Sequence, residues 1–410
     1  MTMKSLLLGA AAGLVTVGAA QAADLPMTKA EAVEYVKVCT EFGAGFFYIP
    51  GSDTCLKIGG EVRADYVFQE MNVRTDDGVV FKGRGQVSFD ARTATEYGLL
   101  RSMIVLNVNL LSGGATTVTA DKAYIQFGGL TAGYAHSFYG IYDAEYGNTI
   151  FAGYYTYADT TNLLAYTATF GGGFSATLSV EDGKHTRSTE YVDDLLNLTQ
   201  PQAGVTAPDL VGSLRVDQAW GKAAIFAAVH QNRELARAAT VVAPILPAYG
   251  GDDTKYGYAV GAALAINLPV AAGGHVVVEG NYANGASAYL GSKVVDIFFD
   301  PATGAEKLGK GWSIVGEIGV NVTPALTINA FGSYIDYNAP DLDNAGVANI
   351  AEADFKNWIA GVNAWYTITK GLSVGAEVYY SDNNFSSAAN TAGVSDTTAW
   401  VGGVRIKRTF

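Results

Sequence analysis

Few residues in this chain are arranged for covalent chemistry. Gly371-Leu372-Ser373-Val374-Gly375 fits G-x-S-x-G, but it follows a tight Lys370-Gly371 turn and opens an alternating segment. A nucleophile elbow needs a strand-to-helix turn instead. Gly304 to Lys310 has phosphate-loop spacing, yet Gly311 stands where Ser or Thr is required. His136, His185, His230 and His275 are isolated in sequence, without HExxH or another ligand pattern. No metal or chemical cofactor is therefore expected. The residues that do form a pattern are charged: Lys57, Arg63, Lys82, Arg84, Arg92 and Arg101 recur on alternate positions within a short stretch. Side chains so spaced line one face of extended chain, where they can hold water and weight the passage of ions.

The segments that carry them have a period of two. Leu56, Ile58, Val62, Ala64, Tyr66 and Phe68 alternate with Lys57, Glu61, Arg63 and Asp65. Phe81, Val87, Phe89 and Ala91 alternate with Lys82, Arg84, Gln86, Ser88, Asp90 and Arg92. Leu100, Ile104, Leu106 and Val108 alternate with Arg101, Asn107 and Asn109, although Met103 and Val105 interrupt the polar face. A soluble sandwich would alternate in the same way. Length argues against it, because these segments run well past the about 5–6 residues at which globular strands peak, whereas tilted strands crossing a bilayer need about 9–11.

Alternation and turn residues place strands near 55–68, 79–94, 98–110, 120–128, 130–136, 162–170, 174–182 and 210–219. Eight more follow near 222–232, 255–267, 275–284, 311–323, 325–337, 355–368, 371–381 and 399–410. Tight links such as Gly128-Gly129, Trp220-Gly221 and Thr323-Pro324 alternate with long ones. Short turns at one end, long loops at the other and an even strand count are the pattern of bacterial outer-membrane barrels. The expectation is an all-β fold, a 16-stranded antiparallel transmembrane β-barrel with short periplasmic turns and long extracellular loops. Tyr66, Phe68, Phe127, Tyr134, Trp312, Tyr334, Tyr366 and Tyr380, near strand ends, are candidates for interfacial girdles. The uncharged run Tyr256 to Val278 is long enough to test as a membrane helix, but Asn267, Pro269 and Gly273-Gly274 interrupt it. It reads as two strands around a turn.

Composition agrees. The 410 residues include 49 Gly, and 16% are charged against about 25% in an ordinary soluble domain. A formal charge of −13 excludes wrapping of a phosphate backbone, which needs a basic surplus. Residues 1–22 read as a signal peptide, with Lys4, an apolar Ser5 to Val17 and a small-x-small Ala20-Gln21-Ala22 site. Export makes a disulfide the default for Cys39 and Cys55, the only two cysteines. Residues 23–54, in which Thr28 to Glu31 resembles a capping box, read as a structural periplasmic segment closed by that bond, before a barrel at 55–410.

Several blocks resemble the alphaproteobacterial general porins of Rhizobiales type. They are Glu34-Tyr35-Val36-Lys37-Val38-Cys39, Gly43 to Gly51, Thr54-Cys55-Leu56, Ala123 to Leu130, and Gly402-Gly403-Val404-Arg405-Ile406 with terminal Phe410. The resemblance implies a homotrimer of barrels in the outer membrane, set among lipid and lipopolysaccharide, passing small hydrophilic solutes passively. It implies that the loop after the fifth strand, 137–161, folds inward as a constriction. Its acids Asp143, Glu145 and Asp159 would then face the six basic residues across the pore. It also implies that Phe410 is an assembly signal for the barrel-assembly machinery. Net acidity favours cations and the basic ladder favours anions, so the sign of selectivity stays open. A substrate-specific channel and an outer-membrane hydrolase barrel are the alternatives, since a Ser–His pair meeting across two strands escapes sequence inspection.

Overall fold

The computed structural model describes residues 37–71, 77–111, 113–187, 190–193, 198–201, 203–233, 254–269, 273–300, 305–340, 354–385 and 396–410. The signal peptide and the Thr28 to Glu31 box lie outside them. Sixteen antiparallel strands form the wall: β1 (Cys55–Gln69), β2 (Val79–Thr95), β3 (Gly98–Leu111), β4 (Thr117–Phe127), β5 (Leu130–His136), β6 (Thr160–Gly171), β7 (Phe174–Glu181) and β8 (Asp209–Gln218). The second half contains β9 (Gly221–Arg233), β10 (Thr254–Asn267), β11 (His275–Asn284), β12 (Lys310–Thr323), β13 (Leu326–Asn338), β14 (Phe355–Thr369), β15 (Leu372–Phe385) and β16 (Thr397–Thr409). Each pairs with its chain neighbours, and β16 closes on β1 from Glu61↔Thr409 to Gln69↔Val401.

The closure leaves the first turn of β1 beyond the reach of β16. In lipid an unpaired strand edge is costly, and the N-terminal segment fills this one. Phe47 and Tyr48 pair with Leu56 and Cys55, and the Cys39–Cys55 disulfide ties that segment to β1. Phe410 completes the seam through reciprocal backbone hydrogen bonds with Gly60 (3.1 and 3.2 Å).

Burial is inverted relative to a soluble protein. Ile58, Val62, Phe68, Phe81, Ile104 and Ile125 are exposed on the outer face, while Asp65, Asp90 and Asn107 are buried on the inner one. Lipid replaces water outside, so the exposed apolar band needs no other cover. At the long-loop rim, neighbouring rings from Trp312 through Tyr334, Trp358 and Tyr380 to Trp400 form a cross-strand ladder. Trp312, Tyr334 and Tyr380 thus join the expected girdle, and Tyr66 meets Phe81 at 5.2 Å.

One connection departs from the expected alternation. Residues 112–116 join β3 to β4 more briefly than expected, because β4 begins at Thr117 rather than 120. A bulge opposite Val105 and Leu106 puts Asp121 and Lys122 in succession, which hides the alternation of Thr117 to Ala120. Residues 268–274 separate β10 from β11. The run Tyr256 to Val278 divides there into two strands, as its turn residues require. On the opposite rim, loops 182–208 and 285–309 share a small sheet of Glu190–Asp193, Leu198–Pro201, Ile297–Asp300 and Ala305–Leu308.

Candidate channel and its inner loop

The segment between β5 and β6 lies inside the barrel. Its aromatics explain why: Tyr139 packs on Phe226 of β9 (4.6 Å between centroids) and on Tyr289 (4.7 Å), and Tyr157 meets Tyr289 at 4.8 Å. These rings, with Ile141 and Leu290, form a hydrophobic cluster inside the wall. Tyr142–Glu145 is a single helical turn.

Backbone amides of this loop would be costly to bury unpaired, and four inward glutamates receive them. Glu181 of β7 accepts from Phe138 (3.2 Å), and Glu279 of β11 accepts from Ile141 (2.8 Å) and Tyr142 (3.0 Å). Glu317 of β12 accepts from Asn148 (2.9 Å). Glu377 of β15 accepts from Ile150 (2.6 Å), Phe151 (2.7 Å) and Ala152 (2.7 Å). All four carboxylates are buried. They stand at inward positions of alternating strands, so their facing was legible in the sequence; their use as amide acceptors was not.

The three loop acids do not pair with the six basic residues. Glu145 accepts from Arg215 of β8 (2.9 Å) and from Lys222 of β9. Burial alone would raise the Glu145 carboxyl, but these two cations outweigh it and hold it below the ordinary carboxylate range. Asp143 accepts from Tyr154 and lies 3.5 Å from His136. Burial pushes its carboxyl above the ordinary range despite that hydrogen bond and the neighbouring cations. Asp159 pairs with Lys293 (2.7 Å) and lies 3.3 Å from His185.

The basic residues belong to a separate inner strip. Arg92 and Arg101 share Asp90 at 2.7 and 2.9 Å. Arg84 reaches Asp121 at 3.6 Å, and Arg63 lies 3.8 Å from both Glu61 and Asp65. Lys82 stands across from Asp65. Asp65 itself takes Arg405 of β16 in a two-pronged contact at 2.6 and 2.8 Å. Phe46 of the disulfide-closed segment lies under Arg92 (4.9 Å) and Lys57 (5.8 Å). Sequence reasoning passed over Arg215, Lys222, Lys122 and Arg405, although inward parity marks all of them.

The motifs that suggested catalysis are placed otherwise. Ser373 sits in β15 opposite Lys407, and Ala305–Leu308 is a strand. Each histidine has a carboxylate neighbour; His230 is buried against Asp209 (2.9 Å). Among the described residues, no group of three or more His, Cys, Asp or Glu could hold a metal ion.

A sequence model of the family described as "Porin subfamily" matches residues 24–403. The chain belongs to that family. Porin Omp2b of Brucella suis biovar 1 is 36% identical over 249 residues, which cover 55% of this chain and 65% of that one. Its counterpart from Brucella canis is 37% identical over 257 residues with the same coverage. The match thus spans 65% of the length of these curated relatives. In fold, the porin is similar to the outer membrane channel DcaP of Acinetobacter baumannii, with TM-score 0.68 at 14% identity over 88% of this chain and 99% of that. It is also similar to an anion-selective porin from Comamonas acidovorans, with TM-score 0.56 at 9% identity over 87% and 100%. The trimer form of OmpT from Vibrio cholerae gives 0.52 at 12% over 88% and 100%. The porin is a multi-pass β-barrel of the bacterial outer membrane.

Proposed function

We propose that the protein forms a water-filled channel for passive diffusion of small hydrophilic solutes and ions, and acts as a channel rather than an enzyme. The observation that carries this reading is the inversion of the closed barrel, with apolar residues facing out and the charges of β1 to β4 facing in. A barrel of this strand number is too wide for its own side chains to fill. In this reading 137–161 is the constriction loop, pinned by Glu279, Glu317 and Glu377. Lys57, Arg63, Lys82, Arg84, Arg92 and Arg101 line the opposite side, and Asp143, Glu145 and Asp159 are the loop's acids, of which Glu145 and Asp159 are offset by Arg215, Lys222 and Lys293. Opposed charge across a narrow aqueous section orders water and dipolar solutes. Residues 23–54 serve as the structural segment that seals the seam, after removal of 1–22.

The assembly is a homotrimer, by analogy with the trimeric OmpT form of the same barrel fold. Lipid and lipopolysaccharide surround it, and Phe410, exposed at the end of β16, is the signal read by the barrel-assembly machinery. Liposome swelling with neutral sugars of graded size tests the channel reading. Swelling rates that fall steadily with solute size support it, and rates equal to protein-free liposomes overturn it.

A further inference from the structure

Beneath the first half of the inner loop, the inner faces of β4 to β9 enclose a cavity of about 390 Å³, within the range of small-molecule sites. Its wall is unusually rich in hydroxyls: Thr131, Thr167, Ser175, Thr177 and Ser213 all line it. Thr167, Thr177 and Ser213 occupy directly opposed positions on β6, β7 and β8, so they form one row across the wall. Tyr124, Phe138 and Phe226 add aromatic surface. Two cations reach the cavity and differ in their freedom. Arg215 is engaged by Glu145 and Asp217, which neutralise it. The Lys122 ammonium makes no side-chain hydrogen bond or ion pair among the described residues, although Asp143 and His136 lie within its electrostatic reach.

We infer that this cavity is a solute-binding subsite beside the channel's narrow section, and that it takes a monosaccharide-sized polyol bearing one carboxylate. A row of hydroxyls can both donate to and accept from the solute's own hydroxyls. An aromatic surface suits the apolar C–H face of a sugar ring. The unpaired Lys122 ammonium gives the carboxylate a charge-assisted partner. Glu145, the acid on the cavity wall, is already neutralised by Arg215 and Lys222, and Asp143, which lies within electrostatic reach of Lys122, is pushed by burial toward its neutral form. A simple anion would leave the hydroxyl row unused, and a neutral sugar would leave Lys122 unused. The inference rests on the channel reading, since the solute reaches the cavity through the lumen.

The test is current blockade in planar bilayers of the full-length protein, with sodium glucuronate, glucose and sodium acetate as probes. Each variant's block is read relative to its own open-channel current. Glucuronate at millimolar concentration should interrupt the current, glucose should do so more weakly, and acetate should not. Lys122→Gln should weaken glucuronate block about tenfold or more, the loss expected for one hydrogen bond to a charged group, and leave glucose unchanged. Ser213→Ala with Thr177→Val should weaken glucuronate and glucose alike. Lys356→Gln, on the exposed outer rim, should keep the wild-type response. Glucuronate acting no better than acetate, or a Lys122→Gln channel blocked as wild type, would overturn the subsite. Absence of any current in plain salt would overturn the channel reading itself.

Discussion

Glu377 on β15 accepts the backbone amide of Ala152 at 2.7 Å, joining the inner loop to a strand late in the chain. The same carboxylate holds Ile150 and Phe151 and accepts from Asn363 at 3.0 Å. Removing it leaves several buried donors unpaired, each costing about 1–3 kcal/mol. In Glu377→Ala the 150–152 part of the loop should leave the wall while Glu181, Glu279 and Glu317 keep the rest and the barrel, held by its own ladder, stays folded. Single-channel recordings should show larger and noisier conductance, with heat-modifiable mobility retained. Wild-type conductance would show that the loop is held elsewhere.

The loop acids should titrate apart. Glu145 lies below the ordinary carboxylate range because Arg215 and Lys222 bind it against the effect of burial. Its contribution to holding the loop is present above the ordinary range and is lost only as pH falls through its depressed value. Burial raises Asp143, so it gains its proton first as pH falls. Reversal potential should therefore move toward anion preference in mildly acid solution, with Asp143→Asn abolishing that step. Loop detachment should come only at lower pH. A single transition unaffected by Asp143→Asn would contradict this order.

Neighbouring residues on β14 separate the two faces. Val362 is 49% exposed toward lipid, and Asn363 is 3% exposed inside. Arg at mid-depth on the lipid face costs about 2–4 kcal/mol. Val362→Arg should lower the folded fraction in liposomes, measured by heat modifiability, while Asn363→Ser should retain folding. Equal folding of Val362→Arg and wild type would contradict the outward assignment.

Replacing Cys39 and Cys55 by Ser removes a closure supplying roughly 3 kcal/mol in the chain-entropy model. The β1–β16 pairing does not depend on it, so the barrel should persist. Residues 37–54 should become sensitive to limited proteolysis as Phe47 and Tyr48 leave the seam. Unchanged protection would show that the pairing with β1 and the Phe46 contacts suffice.

The strands were legible because each inward position is polar and each outward one apolar over most of their length, as in Leu56 to Phe68. Legibility failed at Asp121, the extra residue of the bulge that breaks the period, and at 112–116, which therefore seemed longer. The disulfide followed from two cysteines in an exported chain. The partners of Glu145 were not legible. Arg215 and Lys222 lie far along the chain, and strand parity says which way a side chain points but not what an inserted loop brings to it. For the same reason the loop's use of Glu279, Glu317 and Glu377 could not be read from their inward parity.

The most direct test of the central claim is single-channel conductance of the purified protein in a planar bilayer, recorded under a salt gradient. An open porin predicts long-lived steps that close in thirds if the assembly is trimeric, with a reversal potential that fixes the sign of ion preference. Folded, heat-modifiable protein that inserts without conducting would contradict the channel.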